Sequence, residues 1–304
     1  MVLRNHRTLP LKRKYSLFNR MEDRKKSNLF QVYCINLKER PDRWHRFSKQ
    51  PGVSRIQQTF PFERFEGING KLLDIKNDSR VSLRTKRNIL YQKRRDHEDL
   101  DTPGGVGCYL SHYSCWKKFL ESDKQYVLIL EDDAIVPDDF VQTLEDAMED
   151  LNQEDVKRPD IWTLAMPFGP TLTRALELGT PTYTKNWSYD VVAPLTGYIL
   201  TRQGAKALCD NAFPIDGHVD HFMRRCSQMG MVVIAAHKKI QLKQNRFKKG
   251  DSDIQQKPSC EVCNLPDAPS NKGYIIVSNQ GVASTVIAVF CVGTLLFMKT
   301  YFKK

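Results

Sequence analysis

Leu128-Ile129-Leu130 runs directly into Glu131-Asp132-Asp133. Ligands of open α/β sheets bind beyond the carboxyl ends of strands, where such a run would end. Adjacent carboxylates repel one another, and a divalent cation relieves the repulsion. Glu131 and Asp133 stand two apart, so on extended backbone they project to one side while Asp132 points away or closes a turn. Oxygen donors of this kind suit Mg²⁺ or Mn²⁺, which also hold a substrate diphosphate. The same acids could instead cap and solubilise a helix starting at Asp138, and the triplet alone leaves both readings open.

A second polar group is Pro214-Ile215-Asp216-Gly217-His218-Val219-Asp220-His221. Its carboxylates and imidazoles could supply a general base or a metal ligand. Taken alone, they equally fit a polar turn leading into a helix. Gly104-Gly105-Val106-Gly107 could offer backbone N–H groups to a phosphate ahead of a helix. It matches neither a dinucleotide fingerprint nor a P-loop. Cys260-Glu261-Val262-Cys263 lacks the further ligands of a structural zinc site and reads as a redox pair or two thiols. GxSxG, HExxH and the protein-kinase set are absent from the sequence.

The elements that must position these groups follow from hydrophobic spacing. Gln31–Leu37 is a short apolar run suited to a buried strand, and Pro41 opens a helical stretch through Trp44 and Phe47. The spacing predicts a helix over Gly107–Glu121, with Cys108, His112, Cys115, Trp116 and Phe119 on one face. Tyr126–Leu130 predicts a second buried strand. After Pro137, a helix gathers Phe140, Leu144, Met148 and Leu151 on one side. Ile161–Ala165, Gly197–Leu200 and Met231–Ala236 are further strands, and Thr201 is placed to cap a helix over Arg202–Asn211. Strands separated by helices imply an α/β domain with a largely parallel sheet and helices on both faces.

Charge is unevenly spread along the 304 residues, whose net charge is +12. Residues 1–26 hold nine Lys/Arg against two acids, and residues 237–250 hold six Lys/Arg and no acid. Residues 121–160 hold fourteen acids against three bases. An acidic middle argues against a nucleic-acid coat and for a site where carboxylates gather. Eight cysteines are too sparse for a disulfide scaffold.

Residues 1–29 read as a basic disordered arm without the apolar core of a signal peptide. Residues 30–255 read as the catalytic domain and 256–280 as a polar tether. Residues 281–298, uncharged throughout, read as a transmembrane anchor of ~27 Å at ~1.5 Å per residue. Residues 299–304 form a short basic tail. Such an anchor, without a signal peptide, leaves the domain on the cytosolic side, an endomembrane being possible. The stretch 71–101, with nine Lys/Arg and six acids, reads as a charged, mobile insertion. The basic run 238–249 reads as a surface for an anionic acceptor or lipid, or as a solvated face.

Several segments together resemble glycosyltransferase family 25, the group of lipooligosaccharide-type and collagen galactosyltransferases. They are Val32-Tyr-Cys-Ile-Asn36-Leu37 through Arg40-Pro41-Asp42-Arg43-Trp44, then Phe65-Glu-Gly67-Ile-Asn-Gly70, then Gly105-Val-Gly107-Cys108-Tyr-Leu-Ser111-His112 through Trp116. Leu128 to Ala134, Gly197 to Ala205, Pro214 to Asp216 with Asp220, and Asp251 to Ile254 follow in order. The resemblance covers residues 30–255 and implies a GT-A-like nucleotide-sugar-binding fold.

It also implies metal-dependent, inverting transfer of a hexose, often galactose, from a UDP-sugar to a glycan, lipid-linked or protein hydroxyl. On that basis Glu131 and Asp133 are the metal ligands, for Mn²⁺ or Mg²⁺. Asn36, Arg40, Arg43, Ser111, His112 and Asp132 surround the donor. Asp220, with Asp216 second, is the candidate base for the acceptor hydroxyl. The alternative is a catalytically inactive relative serving as an adhesion or scaffold protein. That reading expects the metal acids to be lost, whereas Glu131 and Asp133 are both present.

Overall fold

The structure is a computed structural model. It describes residues 29–94, 98–153, 158–165, 187–189, 195–245 and 254. The chain divides into one unit of Met1–Cys260 and a second of Glu261–Lys304, and all described residues lie in the first. The expected arm, tether, membrane span and basic tail lie outside them. No described helix is long and apolar enough to cross a membrane.

Strand β1 (Phe30–Asn36) is followed by helices α1 (Pro41–Ser48) and α2 (Pro51–Thr59), strand β2 (Phe62–Glu66) and helix α3 (Leu83–Tyr91). Helix α4 (Pro103–Glu121) leads to β3 (Tyr126–Glu131), the two-residue β4 (Ala134–Ile135) and α5 (Phe140–Gln153). Then come β5 (Ile161–Thr163), β6 (Trp187–Tyr189), β7 (Gly197–Thr201), α6 (Arg202–Asn211), α7 (Val219–Gln228), β8 (Ile234–His237) and β9 (Lys243–Gln244).

Seven strands form one sheet in the order β2-β1-β3-β7-β5-β8-β6. Five point one way; β7 and β6 run against their neighbours. The expected parallel sheet is thus mixed, though mostly parallel. The sheet separates two cores, as its period-two alternation requires. Tyr33, Val127 and Ile129 face α4, α6 and α7 through Tyr109, Trp116, Leu208 and Phe222. Val32, Cys34, Leu128 and Leu130 face α1, α2 and α5 through Phe47, Ile56, Phe140 and Leu144. Helices therefore cover both faces, and β3, buried on each, is the continuous apolar run seen in the sequence.

Local signals set the helix ends. Pro41 and Pro51 sit at the first positions of α1 and α2, where a missing N–H costs nothing. Thr201 caps α6 as expected, its hydroxyl accepting from the Gly204 N–H at 3.0 Å. One expected boundary is corrected. Helix α4 starts at Pro103, not Gly107, and is capped by Thr102, whose hydroxyl accepts from the Gly105 N–H at 3.3 Å. The glycine run is thus the first part of the helix, and not a loop before it. Its purpose is close approach: a Cβ on Gly107 would strike the backbone of Ile68 and Gly70, and one on Gly70 would strike Pro103.

The stretch 71–101 is also corrected. Among its described residues, Val81 bridges to Ile215. Ser82 caps α3 through the Thr85 N–H, and Arg84 reaches the buried Asp99 carboxylate at 2.6 Å. Part of the charge along this stretch is thus paired within the fold. Arg84 and Asp99 meet only through the fold.

Candidate functional site

Parallel pairing of β1 with β3 places Ile35 opposite Glu131. Asn36 and the three acids therefore emerge together at the carboxyl edge of the sheet. The expected alternation stops at Glu131, because Asp132 and Asp133 form a turn into β4. Asp132 consequently does not point away from Asp133. Both meet the same guanidinium: Arg43 Nη2 lies 2.6 Å from Asp132 Oδ1 and 3.3 Å from Asp133 Oδ2. Arg43 stands on α1, one helix after β1, so the first strand-turn-helix unit supplies the counter-charge for the third strand.

Asn36 ties this edge together. Its amide donates to Asp132 Oδ2 at 2.5 Å and to the Arg40 carbonyl at 3.1 Å. Its oxygen accepts from Arg64 Nε at 3.0 Å. Arg64 on β2 also lies over the Trp44 ring, 4.8 Å from its centroid. Arg40 forks onto Asp42 within its own turn, at 3.1 and 3.2 Å, and still lowers the pKa of Asp132 through space.

Asp133 is held from the other side by the small β4–β9 sheet. Gln244 Nε2 donates to its Oδ2 at 3.1 Å, and the Asn245 N–H to its carbonyl at 2.8 Å. Its second carboxylate oxygen, Oδ1, is buried with no hydrogen-bond partner among the described residues. A buried, unpartnered carboxylate oxygen beside two further acids is the donor a hard divalent cation takes. On this observation Asp133 can offer an oxygen donor to a hard divalent cation.

Glu131 also reaches α4. Its Oε1 lies 3.3 Å from His112 Nε2. His112 Nδ1 lies 2.9 Å from the Tyr198 hydroxyl, which accepts from the Trp116 indole N–H at 2.8 Å. Cys108, one turn before His112 on α4, completes a group of thiol, imidazole and carboxylate whose ligand atoms all lie within 4.8 Å of one another.

Burial dominates the electrostatics. Desolvation raises Glu131 to about 8, with the Asp132 charge adding to it and Arg43 opposing it. Desolvation likewise raises Asp132 to about 6, against the pull of Arg43 and the Asn36 hydrogen bond. Asp133 also rises to about 6 through desolvation and the Glu131 charge, with Gln244 and Arg43 opposing. Desolvation lowers His112 to about 4, the Asp220 charge opposing it, so the imidazole is neutral near pH 7. Carboxylates held this far above their ordinary range are poised to gain a cation.

The remaining expected residues separate. Ser111 is buried. Its hydroxyl donates to the Gly107 carbonyl at 2.7 Å and accepts from the Ile68 N–H at 2.8 Å, fastening the 67–70 segment to α4. Asp220, in the first turn of α7, raises the pKa values of Glu131, His112 and Cys108 through its charge. Its charge therefore reaches the site. Asp216 is exposed and ion-paired with Arg225, apart from the acids of β3. Sequence reasoning missed Arg64, Tyr198 and Gln244. Arg64 falls just before, and Tyr198 within, segments singled out above; Gln244 carries no local signal, since only the β4–β9 pairing brings it in.

A family model, glycosyltransferase family 25 (LPS biosynthesis protein), matches residues 30–223, which run from β1 into α7. Human procollagen galactosyltransferase 2 is 25% identical over 195 residues, covering 64% of this chain and 29% of that protein. A glycosyltransferase 25 family member of Anopheles gambiae is 30% identical over 132 residues, 43% of this chain and 21% of that one. The human inactive glycosyltransferase 25 family member 3 is 27% identical over 183 residues, 59% of this chain and 28% of that one. The chain thus spans under a third of the length of each of these relatives. With the family model matching more than half of the chain, over the segments that build the acidic strand end, this protein belongs to glycosyltransferase family 25.

Proposed function

We propose that residues 30–255 form a glycosyltransferase domain that moves a hexose, galactose first, from a UDP-sugar to a hydroxyl acceptor with inversion. The observation that carries this is the unpartnered Oδ1 of Asp133 beside Arg43 and Asn36, at the ends of adjacent parallel strands. The names of the procollagen galactosyltransferase relatives support galactose as donor sugar and a protein or glycan hydroxyl as acceptor. A lipid-linked acceptor is the other member of that class. The uncharged run 281–298 supports a membrane tether on sequence grounds.

Glu131 and Asp133 would hold a divalent cation, Mn²⁺ or Mg²⁺, which when bound supplies Lewis-acid neutralisation of charge on the departing diphosphate. Arg43 already spans two of the acids and adds a fixed positive charge beside that diphosphate. Asn36, clamped by Arg64 and by the Arg40 carbonyl, fixes the rotamer of Asp132 and so the position of Arg43. Asp220, on α7 with its charge acting on Glu131 and His112, takes the proton from the acceptor hydroxyl as its oxygen attacks the anomeric carbon. His112, neutral near pH 7, lines the inner wall.

The test is UDP release by the full chain across a panel of UDP-sugars, with Mn²⁺, Mg²⁺ or chelator. Cation-dependent turnover of one donor, reduced at least ~100-fold in Asp133→Ala, is the expected result. Turnover unchanged by that substitution would overturn the assignment. Absence of both turnover and UDP binding would favour the inactive scaffold reading, toward which the similarity to an inactive family member points.

A further inference from the structure

We propose that Cys108, His112 and Glu131 form a second cation site, for a thiophilic divalent ion of the Zn²⁺ class, which shares Glu131 with the hard-cation position at Asp133. It does not rest on the transfer reaction proposed above.

Three observations carry it. Cys108 and His112 stand four apart on α4 and so share one helix face. That face meets the end of β3, with all three ligand atoms within 4.8 Å of one another. Zinc bonds of about 2.0–2.3 Å in a tetrahedral shell place ligand atoms roughly 3.3–3.8 Å apart. His112 Nε2 and Glu131 Oε1 already stand at 3.3 Å, so only a small side-chain adjustment brings the thiol in.

The imidazole is also oriented as metal-bound imidazoles are, with its far nitrogen held by an outer partner. Tyr198 oxygen stands 2.9 Å from Nδ1. It takes the Trp116 indole N–H on one lone pair; in the Nδ1–H tautomer it also accepts from Nδ1 and Nε2 offers its lone pair to an ion, whereas without an ion Nε2–H can face Glu131. Finally, the site has a way in: Cys108 is half-buried and a fifth of the Glu131 side chain is exposed. Three protein ligands leave the fourth tetrahedral position open on that side.

The donor set decides the ion. Thiolate and imidazole favour Zn²⁺, whereas Mg²⁺ and Mn²⁺ prefer oxygen. Binding releases the thiol proton and withdraws Glu131 from the acids beside it. Occupation of one site therefore competes for a ligand of the other.

The experiment uses the full chain with Cys260→Ser and Cys263→Ser, which removes the CxxC thiols as competitors. Co²⁺ serves as the optical probe. The expected result is a thiolate-to-cobalt absorption in the near ultraviolet saturating at about one ion per chain. It should be displaced by Zn²⁺, while excess Mg²⁺ weakens it through the shared Glu131 without abolishing it. Cys108→Ser should abolish the band. Tyr198→Phe, which removes the outer partner, should weaken binding about 10- to 100-fold.

Should Cys108→Ser fail to fold, X-ray absorption of the zinc-loaded Cys108 protein decides. One sulfur at about 2.3 Å with nitrogen and oxygen at about 2.0–2.2 Å is expected. A zinc shell without sulfur, a cobalt form without a thiolate band, or a band that survives Cys108→Ser would overturn the site. None of these readouts uses transfer activity.

Discussion

At the end of β3, consecutive carboxylates share one burial and one guanidinium. In the turn before α7, Asp216 and Asp220 have separate surroundings. The residue types are alike, yet Asp132 and Asp133 both rise to about 6, while Asp216 pairs with Arg225 at the surface. The difference lies in the backbone beneath them. Adjacent parallel strands bring their carboxyl ends to one edge, so Asn36 and Arg43 reach what β3 delivers. Asp216 precedes α7 and pairs with Arg225, while Asp220 lies within the first turn of α7. Converging backbones make a site; a polar turn spreads the same groups out.

The largest expected effect comes from removing what Asp132 and Asp133 share. Arg43→Ala leaves Asp132 and Asp133 buried without their guanidinium, at a cost of about 3–5 kcal/mol in chemical denaturation. The loss should be greater at pH 8 than at pH 5, because near pH 5 both carboxylates are already mostly protonated. An equal loss at both pH values would mean that Arg43 acts through packing instead.

Asp220→Asn sharpens the contrast within the α7 turn. It is expected to reduce transfer about 10²- to 10⁴-fold with little change in UDP affinity, the signature of a base acting on the acceptor. Full activity in this variant would remove Asp220 from the mechanism.

Stability should also carry the mark of the raised carboxylates. An acid whose pKa is higher folded than unfolded binds more protons when folded, so folding is favoured while it is protonated. In chelator, stability contributed by Glu131, Asp132 and Asp133 should therefore be full below about pH 4. Most of the Asp contribution should be lost by about pH 6 and the Glu131 contribution by about pH 8. Glu131→Gln should flatten the upper part of that slope, and added Mn²⁺ should reduce it. A stability that rises over this range would contradict the electrostatic account.

The smallest effect belongs to the exposed pair. Asp216→Asn should cost no more than about 0.2–1 kcal/mol and leave UDP release within a few fold of wild type. A large loss of activity there would erase the distinction between the two regions.

Much of this arrangement was legible in the sequence. The apolar run of β3, the caps at Thr201 and the helix after Pro41 are local signals, and each lies where spacing and side-chain chemistry put it. The meeting of Asn36 with Asp132 follows once β1 and β3 are parallel neighbours. What the sequence obscured depends on distant pairing. The Asp132-Asp133 turn broke the expected alternation because β4 must pair with β9, more than a hundred residues on. The same pairing brings Gln244 to Asp133. Charges in 71–94 and 98–101 looked loose because Arg84 and Asp99 meet only through the fold. Helix α4 began early because its glycines serve contact with Ile68 and Gly70, a need invisible to a one-residue window.

The central claim is that Asp133 and Glu131 hold a cation that in turn holds a nucleotide diphosphate. The most direct measurement is UDP binding by calorimetry, with and without Mn²⁺, to the wild-type chain and to Asp133→Ala. The account predicts binding that needs Mn²⁺ in the wild type and weakens at least ~100-fold in the variant. Equal UDP affinity with and without the cation, or an affinity untouched by Asp133→Ala, would contradict it.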